Sequence, residues 1–285
     1  MSFSQTGIRW CFNVSNWKPT FEQWKLAVQC VQREECERCY RFAFVEDCKA
    51  SMVGRLLMRK VVNECLGFPY NEISFSRSSS GKPFLEKCDG FDFNISHHGD
   101  FCVLAAEYNC RVGVDVMKVE YRGKETSIEE YFSLMKRLFS SHEWNFIAQP
   151  GSEKEQLSRF YRVWCLKESC VKATGFGLAF NLQGLSFSCP TPILNQGIIT
   201  EDTTVYENGN LKPQWKFEET FLDDNHCVAV ATEPVHQENF EEEKHELKNF
   251  VFLTFNDLMQ NCRPFIQEEE NFWENFVSKG EKKKV

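Results

Sequence analysis

The sequence predicts an α+β protein made of two similar halves with a cleft between them. Three observations carry that expectation. Short alternating apolar runs that suit strands are interleaved with longer stretches of helical periodicity. The order strand, long helix, strands occurs before about residue 100 and again after it. Each long helical stretch is closed by a glycine, Gly67 in the first half and Gly175 in the second, as a helix C-terminus favours. The boundaries read as 8–100 for the N-terminal half, 101–232 for the C-terminal half and 233–285 for a polar, partly disordered tail.

The N-terminal half opens with an alternating run from Ile8 to Val14, interrupted over 16–19, after which Thr20 caps a helix reaching about Val31. A polar helical stretch around Glu34 to Phe42 follows. Asp47 reads as the N-cap of a long amphipathic helix with Ala50, Val53, Leu57 and Val61 on one face. Arg55, Arg59 and Lys60 decorate that helix and read as its solvated face. Ile73 to Arg77 alternates as a strand and runs into Ser78, Ser79, Ser80, Gly81, Lys82 and Pro83, a small-residue turn bracketed by two cations. Such a turn exposes backbone N–H groups and can wrap an anion, although it lacks the spacing of a P-loop. A second strand, starting at Phe91, ends in the pair His97 and His98 beside Gly99.

The C-terminal half begins with the apolar run 102–106 and a strand through Val112, Gly113, Val114, Asp115, Val116 and Met117. A helix starts near Ile128, and Ser140 with Glu143 forms a capping box for another. Residues 157–173 are helical, and three strand-like runs follow at 185–188, 214–218 and 226–231. Residues 236–246 are dense in Glu and Lys and read as linker or disordered chain. Residues 250–259 could dock as an amphipathic piece, and 280–284 reads as a solvated basic end.

Bulk properties narrow the function. With 285 residues, 42% hydrophobic and 26% charged, the chain has ample material for a core. A net charge of −8 and a pI near 5.4 argue against nucleic acid as the main partner. No apolar run approaches the roughly 20 residues of a membrane span, and no secretory leader is visible at the N-terminus. Many of the 14 cysteines replace small apolar residues in core-like runs, which reads as a reduced, cytosolic protein rather than a disulfide framework. Cys36 and Cys39 have the first spacing of a zinc site, but no second pair follows at zinc spacing.

Aspartate is disfavoured inside a β-branched strand, so Asp115 needs a compensating partner or a water-facing strand end. Glu168 and Lys172, four residues apart, share a helix face with Trp164. They read either as an ordinary helix pair or, since the surrounding helix is largely apolar, as groups needing partners. Together Asp115 and Glu168 could hold Mg²⁺, the 77–82 loop could hold phosphates, and Lys172 could neutralise a departing phosphate. Met117, on the same strand face as Asp115, offers a thioether unsuited to a hard cation. Two adjacent histidines on an extended chain point opposite ways, so at most one of His97 and His98 faces a site.

Four stretches in order, Arg77-x-x-x-Gly81-Lys82-Pro83, 93–97 (Phe-Asn-Ile-Ser-His), 112–115 (Val-Gly-Val-Asp) and Trp164-x-x-Lys167-Glu168-Ser169-x-x-Lys172-Ala173-x-Gly175, resemble the motifs of the 4′-phosphopantetheinyl transferases over about residues 8–232. The resemblance implies a monomer of two pseudo-twofold-related halves with coenzyme A and Mg²⁺ in the cleft. It implies transfer of the 4′-phosphopantetheine arm to a serine of an apo carrier protein, with adenosine 3′,5′-bisphosphate released. Carried over by position, Asp115 and Glu168 would bind the metal. Arg38, Arg77, Ser78, Ser79, Ser80, Gly81, Lys82, Asn94, Ile95, Ser96, His97, Glu168, Ser169 and Lys172 would line the coenzyme A site. His97 would touch the 3′-phosphate, Glu168 would be the general base and Lys172 would stabilise the pyrophosphate. Bacterial members commonly have a third carboxylate where Met117 stands here, and the animal branch carries Met. The implied partners are carrier domains of the fatty acid synthase and aminoadipate-semialdehyde dehydrogenase type. Carriers are acidic, so a local basic surface near Arg38, Arg41, Arg55 and Arg59 is expected for docking. Two other readings use the same residues: a Mg²⁺-dependent nucleotide hydrolase or kinase, and an inactive carrier-binding scaffold.

Overall fold

A computed structural model describes residues 7–78, 81–86, 88–121, 127–175, 182–235, 247–267 and 271–282. The first unit runs β1 (Ile8–Asn13), α1 (Phe21–Gln29), α2 (Arg33–Tyr40), α3 (Val45–Leu66), the hairpin β2 (Phe75–Arg77) and β3 (Pro83–Leu85), and the hairpin β4 (Phe91–His98) and β5 (Phe101–Tyr108). The second repeats the plan with β6 (Cys110–Lys118), α4 (Ile128–Met135), α5 (Ser141–Ile147), α6 (Glu153–Thr174), the small sheet β7 (Leu185–Ser188), β8 (Thr204–Glu207) and β9 (Asn210–Leu211), and the hairpin β10 (Lys216–Asp223) and β11 (His226–Pro234). Three elements follow: β12 (Val251–Phe252), α7 (Phe255–Met259) and α8 (Phe272–Val277).

The two main sheets share one connectivity. In each, the opening strand pairs antiparallel with the second arm of the late hairpin, giving the orders β12-β1-β5-β4 and β10-β11-β6. Strand alternation then sorts the core into layers. Trp10, Phe12, Leu104 and Ala106 face α1 and α3, while Ala229 and Ala231 face α6. Cys11, Val103 and Ala105 meet Val112, Val114, Val116, Val228 and Val230 between the sheets. Helices thus cover the outside of two sheets that pack face to face. Arg9 crosses that interface, pairing with Glu107 at 2.6 Å in its own sheet and with Glu218 at 2.7 Å in the other, with no exposed side-chain surface.

Local chemistry sets the element ends. Thr20, Ser140 and Ser152 each close a capping box at a helix start, and Gly67 and Gly175 adopt left-handed conformations (φ 70° and 72°) at the ends of α3 and α6. Asp47 is not the N-cap of α3: the helix begins at Val45 with Phe44 at the cap, and Asp47 lies in the first turn, where a carboxylate suits the helix dipole. Gly99 (φ 60°) makes the turn between β4 and β5, and β5 pairs with both β1 and β4, so the first sheet extends to Tyr108.

Beyond residue 246 the chain is part of the first unit. Residues 236–246, read from sequence as linker or disordered chain, lie outside the described residues. Past them, β12 adds to β1, Phe255 stacks on Trp17 at 5.2 Å, and Phe276 stacks on Trp24 at 4.0 Å. The basic end is not simply solvated either, since Gly280 pairs with Phe44 and Lys282 with Asp47.

Arg59 and Lys60 overturn the expectation of a solvated face on α3. Arg59 is 1% exposed, its guanidinium donates to the Tyr70 carbonyl and lies over the Tyr70 and Phe265 rings. Lys60 pairs with Glu64 over Trp10. Long cationic stems bury well when an aromatic face or a carboxylate receives the head group.

Candidate active site

The site forms where β4 of the first sheet lies along β6 of the second. Alternate side chains of β4 reach across that seam. The Asp92 carboxylate accepts from Val112 N at 2.9 Å, the Asn94 carbonyl from Val114 N at 3.0 Å, and His98 Nδ1 from Lys118 N at 2.9 Å. Between them the Ser96 hydroxyl donates to Asp115 Oδ1 at 2.8 Å. The polar side chains therefore replace the backbone ladder that a neighbouring strand would supply. His98 serves as a rung of this seam, and His97 points the other way.

Asp115 is 5% exposed. Its Oδ1 also receives Lys172 Nζ at 2.6 Å, and that ammonium donates to Ser96 Oγ at 2.8 Å and to the Val114 carbonyl at 3.2 Å. Its Oδ2 is buried and has no hydrogen-bond partner among the described residues. Glu168, one turn before Lys172 on α6, is half-buried. Burial and then the Asp115 charge raise its pKa, with Lys172 pulling the other way. An orphaned carboxylate oxygen beside a second carboxylate whose charged form is disfavoured is a donor set that fits a hard divalent cation.

Gly113 makes this approach possible. A β-carbon there would lie 1.9 Å from the Ser169 carbonyl oxygen and 2.5 Å from Ala173 N, so α6 rests directly on the β6 backbone. That contact sets the height of Glu168 and Lys172 over Asp115. Lys167, on the opposite face, is a structural cation: it is fully buried, pairs with Glu143 at 2.9 Å and donates to the Leu182 and Leu185 carbonyls.

The 77–82 loop arrives from the other side. Gly81 takes φ 85° and its carbonyl accepts from Arg77 at 3.0 Å, while Ser78 Oγ accepts from Lys82 N at 3.1 Å. Lys82 reaches the seam through Asp92 at 2.7 Å. Ser79 and Ser80 lie outside the described residues. Arg77 is held by Glu35, which also binds Arg55 at 2.7 Å. Burial pushes the Glu35 carboxyl up, but Arg55, Arg77 and Arg38 outweigh it and hold the group below its usual range. Arg38 is exposed on α2 in this same charge cluster. His97 is open to solvent yet crowded by protein, and that desolvation, then Lys172, lowers its pKa.

Several expected site residues face elsewhere. The Ser169 side chain is fully buried against β6 and donates to the Leu166 carbonyl at 2.8 Å, so it does not line the cleft. Ile95 packs toward Gly54 of α3 rather than into the cleft. Asn94 spends its carbonyl on the seam. The basic docking surface also loses two members, because Arg59 is in the core and Arg55 is paired with Glu35. Sequence reasoning missed Glu35 and Asp92. Their signal was present for Asp92: it belongs to the polar alternation 92, 94, 96, 98, a strand face that reads as solvent-facing until a second sheet covers it.

A seam with two carboxylates and a lysine at its centre, and cations of the neighbouring turn beside it, brings together the groups that a phosphoryl-transfer site uses. Comparison with known proteins agrees. A family described as 4′-phosphopantetheinyl transferase, N-terminal, matches residues 15–109, and the 4′-phosphopantetheinyl transferase superfamily matches residues 111–231. The chain is 42% identical to L-aminoadipate-semialdehyde dehydrogenase-phosphopantetheinyl transferase of Homo sapiens, over 96% of this chain and 92% of the relative. It is 41% identical to the protein of that name from Xenopus laevis, over 96% and 93%. It is 37% identical to a phosphopantetheinyl transferase of Thraustochytrium sp., over 79% and 77%. The chain belongs to the 4′-phosphopantetheinyl transferase superfamily and is an enzyme of that class.

Proposed function

We propose that the chain moves the 4′-phosphopantetheine arm of coenzyme A onto a serine of an apo carrier protein at the β4–β6 seam, using Mg²⁺ and releasing adenosine 3′,5′-bisphosphate. The observation that carries the metal assignment is the buried Asp115 Oδ2, without a hydrogen-bond partner among the described residues, beside Glu168. Asp115 and Glu168 would hold the ion. When bound, it offsets phosphate charge at the reacting centre. No third carboxylate completes the set, since Met117 stands in that strand position and, among the described residues, no cluster of three metal-ligating side chains is present.

The remaining work falls to side chains. In the transfer, the serine oxygen bonds to the phosphorus that carries pantetheine, and the bond from that phosphorus to the bridging oxygen breaks. The electron pair leaves with the bisphosphate. Glu168 takes the serine proton, a role that a carboxyl with a raised pKa suits. Lys172 places its ammonium where charge grows on the leaving phosphate. Arg38, Arg77, Lys82, the turn at Ser78 and Gly81, Ser96 and His97 hold the coenzyme; the turn backbone and cations favour its phosphates. Partners are carrier domains of the aminoadipate-semialdehyde dehydrogenase and fatty acid synthase type. One chain supplies both walls of the seam, which supports a monomer, and its buried, free thiols suit a cytosolic location.

Metal dependence and product identity are tested together. Transfer to an apo carrier should stop on chelation and return with Mg²⁺. Chromatography should find one adenosine 3′,5′-bisphosphate for each carrier modified. Undiminished transfer in chelator, or a different nucleotide product, would overturn this reading.

A further inference from the structure

The segment 278–282 closes over the start of α3, and the site described above leaves it unused. Val45 N donates to the Gly280 carbonyl at 2.9 Å, and Gly280 N to the Ala43 carbonyl at 3.1 Å. Lys279 Nζ caps the end of α2 through the Tyr40 and Phe42 carbonyls at 2.8 and 2.9 Å. Lys282 N donates to the Glu46 carboxylate at 3.1 Å, and Lys282 Nζ pairs with Asp47 at 2.6 Å.

The packing of α3 on the first sheet fixes where that ion pair lies. The far end of α3 meets the start of the β4–β5 hairpin, where Tyr108, opposite Phe91, donates to the Cys65 carbonyl. Its middle rests on β4 with Gly54 against Ile95. Its first turns reach the hairpin tip, since Lys49 donates to the Val14 carbonyl and Val14 N to that of Asp100. Asp47 therefore sits at the His97 end of β4. His97, two residues past Ile95, projects to the same side, toward α3. Consistently, the charges felt by the His97 ring are those of Lys172, Asp47, Arg55 and Lys282.

An uncompensated Asp47 would repel any phosphate brought to His97, because charges closer than a Debye length of about 10 Å are poorly screened. We infer that Lys282, supplied by the C-terminal segment, is a specificity-determining residue for coenzyme A: it neutralises Asp47 so that the His97 end of the cleft admits the 3′-phosphate. The inference rests on the proposed reading that His97 contacts that phosphate. It gives the segment beyond the matched transferase regions a part in substrate choice.

The test compares kcat/KM for coenzyme A and for 3′-dephospho-coenzyme A with the full chain. In Lys282→Gln the ratio of the two should fall about two- to fivefold, the size expected for a half-exposed ion pair. Lys282→Arg should hold the wild-type ratio. Asp47→Asn combined with Lys282→Gln should restore it, since the repelling carboxylate is then gone. An unchanged ratio in Lys282→Gln, or no recovery in the double variant, would overturn the inference alone. A wild-type enzyme with no preference between the two coenzymes would overturn both the inference and the 3′-phosphate reading. A wild-type enzyme that uses neither would overturn the proposed function itself.

Discussion

Gly113 and Ser169 are in backbone contact: nothing larger than hydrogen fits between the β6 chain and the Ser169 carbonyl. Helix α6 is seated on a strand by the absence of a side chain. Gly113→Ala should therefore lift α6, with a cost of about 1–3 kcal/mol from overpacking. Because Glu168 and Lys172 ride on that helix, transfer should fall further than stability does. Denaturant titration beside steady-state kinetics separates the two, and unchanged kinetics would contradict the seating argument.

Glu168→Gln keeps the shape of the side chain but cannot accept a proton. The loss in kcat should be about 10²- to 10⁴-fold, the usual contribution of a general base. Coenzyme A binding, measured by calorimetry, should persist.

Lys172→Met removes the cationic partner of a buried carboxylate and leaves the Ser96 hydroxyl donating to Asp115 Oδ1. The variant should lose transfer activity and also melt at lower temperature, since stranding a buried charge typically costs about 3–5 kcal/mol. Lys172→Met combined with Asp115→Leu should recover stability but not activity.

The two sheets are held by an ionic contact as well as by apolar packing. Arg9→Met would leave Glu107 and Glu218 facing each other in the interior, although Lys248 still reaches Glu107 at 3.1 Å. Stability should drop by about 3–5 kcal/mol in a urea titration. Little change would mean that the interface is carried by the Val112, Val114 and Val116 layer alone.

Glu35 gives a pH dependence with a definite sign. Its folded pKa lies below the unfolded carboxylate value of about 4.3. The stabilisation it provides is complete above that value and is lost as pH falls through the lower folded one. Glu35→Gln should flatten the acid side of the stability profile and loosen Arg77. Thermal melts of both proteins between about pH 5 and pH 3 check this.

Much of the fold was legible because it follows from neighbouring residues. Ser140 with Glu143, and the glycines at 67 and 175, declare helix ends through backbone chemistry that needs no tertiary partner. Asp115, Glu168 and Lys172 were legible as groups requiring partners, and four ordered motifs made their combination specific. What escaped depends on distant chain. Arg59 looks like a surface cation until Tyr70 and Phe265 close over it, and Ser169 looks like a site residue until Gly113 is placed against it. The polar alternation of β4 marks a polar strand face, and only the second sheet decides that β6 rather than water meets it.

The central claim is that Asp115, Glu168 and Lys172, joined at the seam of two sheets, carry a phosphopantetheine from coenzyme A to a carrier serine. Intact-mass measurement of an apo carrier domain after incubation with the enzyme, coenzyme A and Mg²⁺ tests it most directly. A gain equal to one phosphopantetheine group, absent with Glu168→Gln and with a carrier whose serine is alanine, is the predicted result. No gain on any of several carriers, or an equal gain with Glu168→Gln, would contradict it.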